Sequence, residues 1–384
     1  MPTLPSFDLN AAGELACTYG RYCQALFKRA LVVGMSPAKH PGLGINLRIE
    51  AYQLVSVAES AFGNEMPLSW KFEDLASKLV KAQLSNEDPR EVNLSLRFPP
   101  LWRPNPDGMF PLRSLPTTFV DSKGIIGWWY LPSSITESRQ ATILSAVRTL
   151  CNHRGTPVRT DSQGNWRSHP SHFSDGQELK PGVATFSSCW YQQGHDGPYD
   201  SPTPSATLKG PAGQQFIRDM TESFAVLGGV IAITQPWLFN AGLEVLESLH
   251  RRAFPVDNAE TLEAILDFWS NPFTAFSVIV NRESSIHRDI SSPIWAYDLI
   301  YTGGTYRNGR FESPTLGCRF VYNPGTVIVG LGCLIRHGVA PVDGDRICIV
   351  SYFRESMLER GSQYHGAKPP TSIQLRDFYM DTPM

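Results

Sequence analysis

His287-Arg288-Asp289 sets an imidazole and a carboxylate two residues apart, and on an extended strand side chains at that spacing project from one face. The tripeptide falls at the end of the strand-like run FTAFSVIVN or the start of the next, so the two groups could meet at one point. His337 follows in a Gly-rich strand region, and Arg346, nine residues later, opens a strongly apolar strand. Two imidazoles and one carboxylate on one face of an iron ion leave three positions open, the facial arrangement of non-haem Fe(II) oxygen chemistry. Arg346 then offers a permanent, fork-shaped cation to a co-substrate carboxylate. Plainer roles stand beside these: a structural histidine at 337, an Arg346 paired with Asp343 or Asp345, and a His-x-Asp that arises by chance.

The order His287-Arg288-Asp289, Gly309-Arg310-Phe311 to Pro314, Tyr322-Asn323-Pro324-Gly325-Thr326, Arg336-His337-Gly338-Val339 and Gly344-Asp345-Arg346 resembles the motif set of the 2-oxoglutarate/Fe(II) dioxygenases. More narrowly, it resembles their TET/JBP-like branch of fungal type. The motifs lie within about residues 274–356, while GIIGWWYLP and SSCWYQQGHDGPY are similar to upstream segments of the fungal proteins. The resemblance implies an α+β fold with a double-stranded β-helix (jelly-roll or cupin-like) core, buttressed by N-terminal helices. It implies that His287, Asp289 and His337 are the catalytic Fe(II) ligands, that Arg346 binds the distal carboxylate of 2-oxoglutarate, and that O2 is consumed as a substrate C–H is hydroxylated. Many members carry Ser two residues after that Arg. Here Cys348 stands there, with Ser351 further along, so a different co-substrate stays open. Asn281 and Tyr297 are further candidates for the co-substrate site, with Thr302 beside them, and each serves equally well as an ordinary strand residue.

By the same resemblance the first substrate is the methyl group of 5-methylcytosine or thymine in DNA. A small-molecule hydroxylase of the superfamily and a non-catalytic barrel that binds a ligand are the alternatives. Between Arg148 and His172 lie Arg148, Arg154, Arg159 and Arg167 with Trp166 and three histidines, against the single acid Asp161. Such a loop could hold a DNA backbone and stack on an extruded base, or simply be solvated. Trp190, Tyr191, Gln192, Gln193, His195 and Asp196 form a polar-aromatic cluster able to read a base edge, or a packed strand and its turn. His169 and His172 have the spacing of a metal pair, but no third ligand is apparent in the sequence and Pro170 bars a regular helix there.

The elements that must position these groups change character along the chain. The first ninety residues read as helical, with Tyr19, Tyr22 and Leu26 and then Phe72, Leu75, Leu79 and Ala82 at three-to-four spacing. A strand is expected over residues 125–131, and a helix over about 135–150 opened by a Ser134/Glu137 capping box. Residues 151–210 read as loop. Three helical segments follow, and after Pro272 come short strands in FTAFSVIVN, IWAYDLIYTG, GRFES, CRFVYN, TVIVGLG and RICIVSYF, divided by Asn-Pro-Gly and Asp-Gly turns. The expected organisation is a helical region, 1–120, packed on a dioxygenase domain, 121–384.

Composition sets outer bounds. The 384 residues are 42% hydrophobic and 18% charged, with Lys+Arg 34 against Asp+Glu 36, a formal charge of -2. That argues against a broad basic surface for duplex DNA and leaves a local one. The seven cysteines form no Cys-x-x-Cys pair, and neither a signal-like N-terminus nor a membrane-length apolar run is present. An intracellular protein in nucleus or cytoplasm, neither secreted nor membrane-bound, is expected. Sequence signatures for P-loop phosphoryl transfer, serine hydrolysis, zinc proteolysis and dinucleotide binding are missing.

Overall fold

Tyr19, Tyr22 and Leu26 become the buried face of helix α1 (Ala11–Val32), which Asn10 caps by accepting a hydrogen bond from the Gly13 amide at 3.0 Å. The computed structural model describes residues 5–34, 40, 42–79, 88–176, 178–192, 194, 195, 197 and 199–381; Ala82, Gln193 and Asp196, named above, lie outside the described residues. Helices α2 (Ile45–Phe62), α3 (Phe72–Ala76) and α4 (Pro89–Arg97) follow. Pro89 starts α4 inside the stretch, 1–120, expected to be helical. Its missing N–H costs nothing in the first turn, and the Asp88 carboxylate accepts from the Arg90 amide at 2.9 Å. Helix α5 (Glu137–Asn152) lies within two residues of its expected place, but its cap is Thr136, which accepts from the Arg139 amide, and not Ser134.

Helices α6 (Pro211–Thr234), α7 (Pro236–His250) and α8 (Ala259–Leu266) match the three expected segments, and α9 (Glu355–Gly361) and α10 (Ser372–Asp381) close the chain. From Ser223 to Thr234 every residue of α6 is buried, as expected of a helix surrounded on all sides. It packs against α1, α2, α5 and α7. The contact with α1 is close because a Cβ on Gly229 would lie 2.7 Å from the Tyr19 ring. No helix among the described residues is long and apolar enough to cross a membrane.

The strands are β1 (Glu65–Pro67), β2 (Leu112–Arg113), β3 (Thr117–Val120), β4 (Ile126–Leu131), β5 (Gly182–Ser187), β6 (Ala275–Val280), β7 (Ser284–His287), β8 (Asp298–Gly304), β9 (Arg310–Ser313), β10 (Cys318–Val321), β11 (Val327–Gly330), β12 (His337–Val339) and β13 (Arg346–Tyr352). They form an eight-stranded sheet, β1-β3-β4-β11-β8-β13-β6-β5, and a five-stranded sheet, β2-β10-β9-β12-β7. The protein is thus a mixed α+β fold with two large sheets. Helices α2, α5 and α6 contact the larger sheet. Strand β5 lies in the stretch read as loop. Its pairing with β6 recruits it, Thr185 opposite Ser277, a long-range partner that local sequence does not announce.

Register fixes what faces inward. Across four strands of the larger sheet, Val183, Ile279, Cys348 and Thr302 stand in one rank. In the smaller sheet β12 runs antiparallel to β7 with His337 directly opposite His287, so the two imidazoles share a face.

Candidate active site

The facing of His287 and His337 is completed by Asp289. Asp289 lies beyond the end of β7, so it reaches the site through a turn and not through strand alternation; its amide donates to the Gly332 carbonyl at 3.0 Å. His287 Nε2 stands 3.5 Å from Asp289 Oδ1 and His337 Nε2 3.3 Å from Oδ2. Ligand atoms of the three residues lie within 4.8 Å of one another. Each imidazole commits Nδ1 to a backbone carbonyl, Ser285 at 2.7 Å and Ile335 at 2.8 Å, so both Nε2 atoms turn to the common point. The Phe311 ring stacks on His337 with centroids 5.5 Å apart, and the Trp166 edge meets His287 at 4.8 Å.

The electrostatics suit a cation. Burial first, then the neighbouring His337, pushes the His287 pKa down and favours neutral imidazole. Burial alone would raise Asp289, but hydrogen bonds and charge from the two imidazoles hold it well below the usual carboxylate range. Arg167 adds an ion pair to Asp289 Oδ1 at 3.0 Å.

A cavity of about 500 Å³ opens from this point, lined by strands of both sheets. At one end Arg346 is buried. Its Nη2 donates to the Arg282 carbonyl, whereas Nη1 has no partner among the described residues. Arg282, also buried, leaves Nε unpartnered, and burial with the nearby Arg346 and Arg167 pushes it down to about 10. Two desolvated guanidiniums with unspent donors call for an anion. At the other end the Arg354 guanidinium lies 5.5 Å from the Trp190 ring centroid and 5.1 Å from that of Tyr352. Asp298 lines the wall, buried, with Oδ1 accepting from the Ser292 hydroxyl at 2.9 Å and Oδ2 without a partner among the described residues. Its pKa is raised well above the carboxylate range by burial and then by Asp289.

The sequence-derived candidates divide sharply. Alternation along β13 turns Arg346, Cys348, Val350 and Tyr352 into the cavity, so Ser351 faces the opposite side and is corrected out of the site. Asn281 is likewise outside the lining: its amide donates to Asp345 at 2.9 Å and its oxygen accepts from the Arg346 amide at 2.8 Å, which places it behind the arginine. Tyr297 is buried elsewhere and donates to the Ile126 carbonyl at 2.5 Å.

The basic loop splits. Trp166 and Arg167 fold in over the metal-ligand group, while Arg154 stays exposed. Trp190 lines the cavity, but Gln192 and His195 are exposed away from it, His195 beside Asp200 at 3.8 Å. His169 and His172 join no three-ligand group among the described residues; His172 faces Glu283 at 3.3 Å. Sequence reasoning missed Arg282, Asp298, Tyr352 and Arg354. Extending the parity of Arg346 and Cys348 finds Tyr352. Nothing local marks Arg282 or Asp298.

Two histidines and a carboxylate poised for a metal, with buried arginines beside them in a cavity between two sheets, define the site of a non-haem iron oxygenase. Residues 187–355, a span holding all three ligands and Arg346, match the Tet_JBP family model, described as the oxygenase domain of the 2OGFeDO superfamily. The protein is thus an enzyme of the 2-oxoglutarate/Fe(II) dioxygenase class, and the part of it from 187 to 355 is a TET/JBP-like oxygenase domain. No curated protein matches the chain. Among solved structures it is similar to NgTET1 in complex with 5mC DNA, at 12% identity over 86% of this chain and 98% of that one, TM-score 0.47. It is also similar to an oxidoreductase of the 2OG-Fe(II) oxygenase family from Burkholderia pseudomallei, at 12% identity over 64% of this chain and 87% of that one, TM-score 0.30.

Proposed function

We propose that the enzyme hydroxylates the methyl group of a methylated pyrimidine base, 5-methylcytosine or thymine, in DNA. The observation that carries this reading is the other end of the cavity, where the Arg354 guanidinium lies against the Trp190 and Tyr352 rings to form an aromatic and cationic cluster in the same cavity as the metal-ligand group. A planar base extruded from a helix fits such a cluster by stacking. The volume of about 500 Å³ falls in the range of roughly 300–1,000 Å³ typical of small-molecule sites. In this reading the two sheets form a double-stranded β-helix over about residues 274–356, residues 1–120 buttress it, and 121–384 make the dioxygenase domain.

The residues fit the cofactors. His287, Asp289 and His337 would hold Fe(II) through two imidazole nitrogens and a carboxylate oxygen. Arg346, with Arg282 beside it, would take the carboxylate of 2-oxoglutarate on donors that lack a partner among the described residues. When bound, Fe(II), 2-oxoglutarate and O2 would supply the oxidising chemistry that converts C–H to C–OH with succinate and CO2 as co-products. The chain's own residues orient and shield: backbone carbonyls fix the imidazole tautomers, Arg167 steadies the Asp289 carboxylate, and Trp166 and Phe311 keep water from the imidazoles. Arg154 on the exposed part of the basic loop supplies a local contact for phosphate.

The test is succinate release, with analysis of the product base, across oligonucleotides bearing 5-methylcytosine, thymine or cytosine, and across free nucleosides and small metabolites. Turnover that requires the methylated oligonucleotide and falls with salt supports the reading. Turnover of a free metabolite by a protein without DNA affinity replaces it with a small-molecule hydroxylase.

A further inference from the structure

Arg288 and Arg336 each stand next to a metal-ligand residue in the chain, Arg288 between His287 and Asp289, Arg336 just before His337. Both are buried, and both converge on one carboxylate, Glu91 of α4. Arg288 Nη1 pairs with Glu91 Oε1, and Arg336 Nη1 lies 3.6 Å from Oε2. Arg288 also donates through Nε to the Leu334 carbonyl at 2.9 Å, and the Ser313 hydroxyl donates to the Arg336 carbonyl at 3.0 Å. The α4 helix offers little else to this contact. Glu91 is its one fully buried residue; Leu94 is half-buried, Val92 and Leu96 are exposed, and Phe98 just beyond it packs edge-on against Trp70.

We infer that Glu91 is a positioning residue for the iron centre, a clamp from the N-terminal region that holds the backs of the two metal-bearing segments together. The physical reason is charge balance at low exposure. Two buried guanidiniums side by side repel, and Glu91 pairs with both; without its charge the pair separates or takes in water. Either response moves the backbone on both sides of Arg288 and before His337. A set of three ligands is sensitive to shifts of a few tenths of an ångström at each donor. The buried salt bridge thus acts on the ligand geometry, and not only on the stability of the fold.

This inference rests on His287, Asp289 and His337 being the Fe(II) site, and the experiment separates the two. Anaerobic Fe(II) titration, thermal melting and the ratio of 2-oxoglutarate consumed to product formed are measured for the wild type, Glu91→Gln and Glu91→Asp. Glu91→Gln is expected to weaken Fe(II) roughly 10- to 100-fold and to raise unproductive 2-oxoglutarate consumption, with Glu91→Asp in between because it keeps the charge on a shorter arm. Folded Glu91→Gln and Glu91→Asp that bind Fe(II) as the wild type does, with only the melting temperature lowered, overturn the inference. If Glu91→Gln does not fold, Glu91→Asp decides: a loss of about threefold or more supports the clamp, and an unchanged affinity overturns it. A wild type that takes up no Fe(II) overturns the metal-site reading and the inference with it.

Discussion

Replacing Arg346 by Gln removes a buried cation from the cavity lining. Its Nη2 is already spent on the Arg282 carbonyl, so Nη1 is the donor with no partner among the described residues. One charge-assisted hydrogen bond is worth about 1.5–3 kcal/mol, and each 1.4 kcal/mol or so is tenfold in affinity. The dissociation constant for 2-oxoglutarate should therefore rise roughly 10- to 100-fold. Arg346→Lys, which keeps charge and loses the fork, falls between Gln and the wild type. The assay is 2-oxoglutarate titration of the Fe(II) protein without oxygen, followed by succinate release at saturating and limiting 2-oxoglutarate. A rise confined to KM, with kcat largely recovered at saturation, is expected because the group binds ground and transition states alike. A dissociation constant within about threefold of the wild type, with Fe(II) affinity lost instead, would refute the assignment and make Arg346 a structural group.

Cys348 faces the cavity two residues from Arg346, and a hydroxyl donates better than a buried thiol. Cys348→Ser is expected to tighten 2-oxoglutarate a few-fold in the same titration; weaker binding would mean the thiol serves packing alone. Asp298 has a raised pKa, so between the ordinary carboxylate value and its own the native state keeps a proton that the unfolded chain has lost. Its contribution to stability therefore falls as pH rises through that window. Asp298→Asn should gain in melting temperature over the metal-free wild type by more at about pH 8 than at about pH 5, whereas parallel curves would discard the shift. A Cβ on Gly332 would lie 2.4 Å from Asp298 Oδ2 and 3.2 Å from Asp289 Oδ2. Gly332→Ala should cost about 1–3 kcal/mol in chemical denaturation and weaken Fe(II); wild-type values for both would show that the wall yields freely.

How much of this was legible beforehand differs by element. The late strands, and helices α6 to α8, could be read because their apolar periods and their Asn-Pro-Gly and Asp-Gly turns are local signals. Strand β5 was not, since its partner β6 lies about ninety residues on and its own sequence carries no turn or alternation strong enough to mark it. Helix α4 lies within the stretch expected to be helical, but its bounds follow from the Asp88 cap and the Pro89 start, which the periodicity did not mark. At the site, His287, Asp289, His337 and Arg346 stood out by type and order, whereas Ser351 failed on strand parity and Asn281 on its hydrogen bonds behind the arginine.

The sequence alone determined the chemistry on offer: which groups can ligate iron, which cation can take a carboxylate, and a chain rich enough in strand and turn signals to present them between sheets. It did so because ligand type and strand period are properties of residues a few positions apart. Only the tertiary structure decided which groups converge. Register placed His337 opposite His287, a turn carried Asp289 to them, and chain returning from far away supplied Trp166, Arg167 and Glu91. Those meetings depend on long-range packing and burial, where a side chain's partners, its charge and its access to water are fixed by segments the local sequence does not see.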